Sequence, residues 1–318
     1  MGLLYTGFYF SARLITMNLR KSSLQPGWYP QNSSKINEFI KNCTISQKKE
    51  LITSSFCSNS LAAAVPHAGW YYSGSIAVQA VGALAAHANQ CDTVAVIGGH
   101  LPGGMPALLA MEDAVYTPLG NMEIDNKLRK MLINSLENIP GLRIAEDHYN
   151  DNTIEVLLPM VKYFFPESRL LWLRFPADMV SYNAGKTLAK TVAALGRNLL
   201  VIGSTDLTHY GDNYRWSPVG YGQKALDWVK TVNDKNFIDA VEAGQPDLVL
   251  ARAEDERSSC SAGAVLGVMG YAEEVRATEK PGLDSSGKLL AYSTSADISI
   301  EAGEGIPGSF VGYGAFLW

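Results

Sequence analysis

The 318 residues are 47% hydrophobic and 18% charged, with a formal net charge of −5. That composition describes a globular chain and excludes a disordered or fibrous one. The acidic balance, with no Lys/Arg cluster, also excludes a nucleic-acid surface and leaves small molecules or peptides as expected partners. Four cysteines, Cys43, Cys57, Cys91 and Cys260, show no CxxC spacing, so no disulfide framework is expected and a reducing cytoplasm fits.

Residues 1–19, from "MGLLYTGFYF", are apolar but lack the basic start and small-residue cleavage site of a signal peptide. They read as an extension, with Met17 as an alternative start, ahead of a single domain over 20–318. No apolar run reaches about 18 residues, so no membrane-spanning helix is expected. Short apolar runs then alternate with helical segments: "LAAAV" (61–65) before 75–88, "TVAVIGG" (93–99) before 124–137, "RLLWLRF" (169–175) before 181–195, and "NLLVIG" (198–203) before 221–242. This alternation predicts an α/β fold, one domain with a central mostly parallel or mixed sheet flanked by helices. Near the end "KLLAYSTSADI" and "GSFVGYGAFLW" read as further strands that pair antiparallel at a sheet edge.

Three predicted strands run straight into residues that can bind a metal: His67 after "LAAAVP", His100 after "VAVIGG", and Asp206 with His209 after "LLVIGST". Ligands of open α/β sheets gather beyond the carboxyl ends of the strands, which gives this placement meaning. Taken singly, each residue has a plain structural explanation. His67, between Pro66 and Gly69, could be a corner histidine, and His100 in "GGHLPGG" could belong to a phosphate cradle, although no GxxxxGK[ST] is present. Asp206 and His209, three apart, share a face if the segment makes a helical turn, so that Asp206 orients a proton-moving imidazole; Asp206 as a turn or cap residue is the alternative. Cys260, just before or inside the first turn of an apolar helix, is either a small core residue or a dipole-assisted metal ligand.

Glu155 interrupts an apolar stripe of Ile154, Leu157, Leu158 and Val161, so it needs a partner such as a metal, a histidine or a backbone donor. Trp70, Tyr71 and Tyr72 are candidate pocket walls or stacked core aromatics, and Tyr210 is a further pocket candidate beside His209. Two histidines, a cysteine, and an aspartate with a third histidine suit Fe(II), Cu or Zn better than Mg or Ca.

The motifs "QPGWYP" (25–30), "PHAGWYYSG", "TIEVLLPMVKYFF", "STDLTHYG", "CSAGAVLGVM" and "YSTSAD" followed by "SFVGYGAF" occur in the order seen in the Memo family. That family is also called AmmeMemoRadiSam system protein B, and the resemblance covers about residues 20–318. It implies a fold similar to the LigB-type (class III) extradiol dioxygenases. It also implies His67, His100 and Cys260 as metal ligands, with Asp206 and His209 as accompanying pocket residues. In those dioxygenases the third ligand is a carboxylate and an accompanying histidine acts as base, so activity does not transfer with the fold. Two departures stand out: "IGGHLPGG" replaces a Gly-Pro-Ser/Asn-His type segment, and Asp151, Asn152 and Thr153 stand where Glu-His-Ser is usual. His148 is the nearest substitute for the missing histidine. The expected function is a non-haem Fe(II)-dependent (or Cu-dependent) oxidoreductase acting on a small molecule, and the alternative is a non-catalytic metal- or peptide-binding adaptor. Hydrolysis finds little support, because neither G-x-S-x-G nor HExxH occurs.

Overall fold

A computed structural model describes residues 17–47, 60–87, 91–279, 282 and 284–318. Most of the proposed 1–19 extension, and Cys57, therefore lie outside the described residues. In chain order the first half contains β1 (Leu19–Arg20), α1 (Ser33–Gln47), β2 (Ala62–Val65), α2 (Ser75–His87), β3 (Thr93–Gly98), β4 (Ala107–Leu109), β5 (Ala114–Val115), β6 (Met122–Glu123), α3 (Asn126–Leu136), β7 (Ile144–Glu146), α4 (Asn152–Glu155) and α5 (Leu158–Phe164). The second half contains β8 (Arg169–Arg174), α6 (Val180–Leu195), β9 (Leu199–Ser204), β10 (His209–Gly211), α7 (Gln223–Trp228), α8 (Asp234–Glu242), α9 (Pro246–Asp255), α10 (Ala262–Glu279), β11 (Lys288–Thr294), α11 (Ser295–Glu301) and β12 (Ser309–Leu317).

The main sheet has the order β10-β12-β2-β9-β3-β8-β4-β7, with β11 also on β12. Strands β2, β9, β3 and β8 are mutually parallel, while β12 runs antiparallel to β2, β10 and β11. The sheet is thus mixed, with a parallel centre. Side chains that alternate along these strands enter two cores. Ala63, Val65, Val94, Val96, Leu170 and Trp172 pack with α2 and α5; Ala62, Ala64, Ala95, Ile97, Leu171 and Leu173 pack with α6 and α10. Covering both faces explains why the strands read as continuous apolar runs rather than alternating ones.

Local chemistry accounts for three differences from the expected elements. The strand expected over "KLLAYSTSADI" stops at Thr294: the Thr294 hydroxyl accepts from the Asp297 N–H, the Asp297 carboxylate accepts from the Thr294 N–H, and this capping box starts α11. The 221–242 segment divides into α7, a π-helical turn at Val229–Asn233, and α8. The supposed extension is already engaged before residue 20, since Leu19 and Arg20 pair with Ala114 and Val115 in a small sheet β1-β5-β6.

Helix α10, which follows Cys260 in the chain, is buried on all sides from Ala262 to Ala272 and lies between the sheet and α6. The two helices touch backbone to backbone: a Cβ on Gly185 would run into the Gly267 carbonyl, and one on Gly270 into the Tyr182 carbonyl. Gly185→Ala should therefore lower stability by about 1–3 kcal/mol through overpacking, seen as a reduced urea midpoint with the folded spectrum retained.

Candidate metal centre

Strands β2, β9 and β3 lie side by side and point the same way, so their carboxyl ends meet at one edge of the sheet. His67 follows β2, the segment Thr205–Thr208 follows β9, and Gly99–His100 follows β3. Cys260 arrives from the other side, in the turn before α10. The donor atoms of His67, His100 and Cys260 all lie within 4.8 Å of one another, the one such metal-type cluster among the described residues. The two imidazoles meet edge to face with ring centroids 4.9 Å apart, and Cys260 Sγ is 3.3 Å from His67 Nε2.

Each histidine is held by its Nδ1, which aims the opposite side of the ring inward. His67 Nδ1 lies 2.9 Å from Ser204 Oγ, and His100 Nδ1 donates to Asp151 Oδ2 at 3.0 Å. Fixing one ring nitrogen in this way orients the other as a ligand. His100 has φ = 56°, a left-handed conformation unusual for a residue with a side chain. The preceding Gly99 is required, since a Cβ there would collide with Ser261.

Asp206 is buried, and its Oδ1 accepts from the His67 backbone N–H at 2.7 Å. Its Oδ2 lies 3.9 Å from His67 Nε2 and 3.8 Å from His209 Nε2. The expected helical turn is absent: 205–208 is irregular and His209 opens β10, where alternation sends His209 and Tyr210 to opposite faces. His209 packs against Tyr214 at 4.7 Å, and its Nε2 is buried without a hydrogen-bond partner.

Burial opposes charge on every member, yet mutual attraction wins. Asp206 and Cys260 raise the pKa of His67, while the Asp151 hydrogen bond and Cys260 push His100 up to about 10. Burial would raise the thiol, but His67 and His100 hold Cys260 well below its ordinary value, and His67 and His209 lower Asp206. Thiolate with imidazole is a borderline-soft donor set, and the mutual attraction within the cluster favours the deprotonated sulfur that a metal ligand needs, so the residues fit a divalent cation.

A cavity of about 470 Å³ opens over this edge, with His67, His100, Asp206 and His209 on its wall. Trp28, Tyr72, Tyr214, Phe310 and Tyr313 supply aromatic surface, and Asn152 a polar one. Cys260 borders an adjoining space of about 310 Å³ that shares His209 and Tyr214. A larger hollow of about 840 Å³, beside Cys91, Arg169 and Arg197, sits at the opposite ends of the strands, away from the donor cluster.

Four expected pocket residues lie elsewhere than on the 470 Å³ cavity wall. Trp70 opens a π-helical turn, is buried against Phe39, and donates from Nε1 to the Val156 carbonyl at 2.9 Å. Tyr71 points to solvent and is 65% exposed, so Tyr72 alone of the three aromatics reaches the cavity. Tyr210 is buried, stacked on Phe310 at 5.1 Å, and donates to the Gly220 carbonyl. Glu155 binds backbone and hydroxyl donors: Ser23 N–H at 2.9 Å, Leu24 N–H at 3.0 Å, and the hydroxyls of Ser22 and Ser23. His148 does not replace the missing histidine, since it is exposed and pairs with Glu146. Asn152 instead donates to the His67 carbonyl at 3.1 Å.

Fold and site define a single-domain α/β protein with a mixed sheet and, among the described residues, one His/His/Cys donor cluster at the strand ends, in which His67 is buried, Cys260 half-buried and His100 open to the cavity. A profile of the Memo-like protein family matches residues 20–316, and the chain belongs to that family. It is 31% identical over 265 residues to a MEMO1 family protein of Methanopyrus kandleri, covering 80% of this chain and 81% of that one. It is 25% identical to a MEMO1 family protein of Pyrococcus horikoshii, covering 91% and 96% respectively. Among solved structures an uncharacterized protein of Escherichia coli K12 is similar in fold, with a TM-score of 0.50, 11% identity, and 81% of this chain and 99% of that one covered.

Glu155→Ala should strand the Ser23 and Leu24 N–H groups and cost about 2–4 kcal/mol. Hydrogen exchange should quicken at 22–24 in that variant. The loop carrying Asp206 rests on buried Asp234, which accepts from the Thr208 N–H at 3.0 Å. Burial pushes the Asp234 carboxyl from 3.8 up to about 6. A raised folded-state pKa gives stability that is full below the unfolded value and lost as pH rises through the folded one. Stability should therefore fall between about pH 4 and pH 7, and Asp234→Asn should flatten that slope in urea melts.

Proposed function

We propose that the protein is a non-haem metal-dependent oxidoreductase of the extradiol-dioxygenase-like type, acting on a small molecule in a reducing cytoplasm. The observation that carries this reading is the convergence of His67, His100 and Cys260 beside an aromatic-walled cavity. These three residues would hold the ion, Fe(II) first, with Cu or Zn as the other candidates. Such an ion, when bound, supplies Lewis-acid and redox chemistry toward substrate and dioxygen.

The remaining work falls to the chain. Trp28, Tyr72 and Tyr214 present flat apolar surface to a planar substrate, and Asn152, anchored on the His67 carbonyl, adds a polar group. His209 Nε2, with no fixed partner and Asp206 Oδ2 at 3.8 Å, is placed to take and return a proton. Asp206 orients and balances that imidazole rather than reacting itself, because its other oxygen is engaged by the His67 N–H.

A second reading, a metal- or peptide-binding adaptor without turnover, draws on Tyr72 and Tyr214, which are 43% and 39% exposed at the cavity. Protein loaded anaerobically with Fe(II) should bind about one equivalent, and Cys260→Ser should lower retained iron at least about tenfold. Oxygen uptake with a catechol panel separates the readings. Uptake that is lost in His209→Gln at unchanged iron content supports the enzyme; iron binding with no uptake across the panel favours the adaptor.

A further inference from the structure

The site leaves one buried charge unexplained. Arg174 closes β8, is 4% exposed at its side chain, and touches none of the three donors of the cluster. A guanidinium in a sheet centre must be fully partnered, because an unpaired buried charge costs several kcal/mol. Two of its three partners lead to His100. Nε donates to the Gly99 carbonyl at 3.0 Å, at the peptide that enters the strained His100 backbone. Nη2 is 3.2 Å from Asp151 Oδ2, the same oxygen that receives His100 Nδ1–H. Nη1 is 3.3 Å from Asp147 Oδ1, and Asp147 is itself fixed by Trp172 Nε1 at 2.8 Å.

We infer that Arg174 is a positioning residue for the metal centre: one guanidinium fixes both the backbone and the ring of His100. The inference rests on the metal reading above but adds a residue that touches neither ion nor substrate. The planar fork is what makes it work. Three nitrogens diverging in one plane reach a carbonyl and two carboxylates at once, and a lysine ammonium, a compact point charge, cannot span the three. Charge alone is therefore insufficient, and Arg174→Lys separates charge from geometry. It also keeps a cation between Asp147 and Asp151, which protects folding where a neutral residue would leave two buried carboxylates.

Arg174→Lys, Leu132→Ala (a core truncation in α3) and the unsubstituted protein are titrated with Co(II), following the thiolate charge-transfer and ligand-field bands, with and without added imidazole. In parallel, the ring Nδ1–H of His100 is observed by NMR without metal. The inference expects Arg174→Lys to bind Co(II) about 10–100-fold more weakly, to recover on addition of imidazole, and to lose the protected ring N–H signal. Leu132→Ala, destabilised by a cavity in α3 away from the donors, should match the unsubstituted protein in all three. Co(II) affinity, spectrum and ring signal unchanged in Arg174→Lys would overturn the inference. So would equal weakening in both variants, which would mark a general loss of stability. If the unsubstituted protein fails to bind Co(II), the metal reading falls, and the ring N–H signal alone then decides whether Arg174 positions His100.

Discussion

Asp206 is buried, and a carboxylate is tolerated in that setting only where donors and positive charge surround it. Meeting that requirement fixes the site. The His67 backbone donates to Oδ1, which ties the exit of β2 to the exit of β9. The Asp206 N–H points at Cys260 Sγ at 3.3 Å, and the Cys260 N–H donates back to the Asp206 carbonyl at 3.2 Å, which ties the turn before α10 to the same residue. Oδ2 faces both His67 and His209. One side chain and its own peptide thus hold three segments that are distant in sequence.

This arrangement is expensive, and the scaffold shows where the cost is absorbed. Buried Asp147, Asp151, Arg174 and Asp206 would each be intolerable alone, and the left-handed His100 adds backbone strain. The two apolar cores on either side of a continuous parallel centre offset them, and the Gly185 and Gly270 contacts lock α10 against α6 behind the Cys260 turn. Rigid elements carry the donors while irregular segments make the fine adjustments, the usual division between scaffold and site.

Much of this was legible in the sequence, because burial on both faces leaves a plain mark: β2, β3, β8 and β9 appear as apolar runs, and those of β2, β3 and β9 lead into His67, His100 and Asp206. The donor atoms of His67, His100 and Cys260 lie within 4.8 Å of one another, and Cys260 entered that set through the family resemblance rather than through its position. What escaped was set by contacts between distant residues. Nothing around Glu155 announces that Ser22 to Leu24 will wrap it, and the aromatic order Trp70-Tyr71-Tyr72 does not disclose a π-helical turn that buries the first and exposes the second. Arg174 did leave a signal, a lone cation at the end of the buried run "RLLWLRF", because such a charge must have found partners. Trp28 and Tyr214 left none, since each reaches the cavity only through tertiary packing.

Helix α4 shows how a departure from the family pattern can be absorbed. Its one turn and N-cap present four of five side chains to different polar tasks: Asp151 to His100 and Arg174, Asn152 to the His67 carbonyl, Thr153 to the Gly99 N–H and to Asp151, and Glu155 to the N-terminal segment. Asn152 stands where the family usually has histidine, and its amide bridges to the strand end that carries His67 while still lining the cavity. An asparagine there keeps a polar contact and gives up a group that titrates near neutrality. That leaves His209 as the imidazole on the cavity wall outside the donor cluster, with its Nε2 facing Asp206 Oδ2 at 3.8 Å.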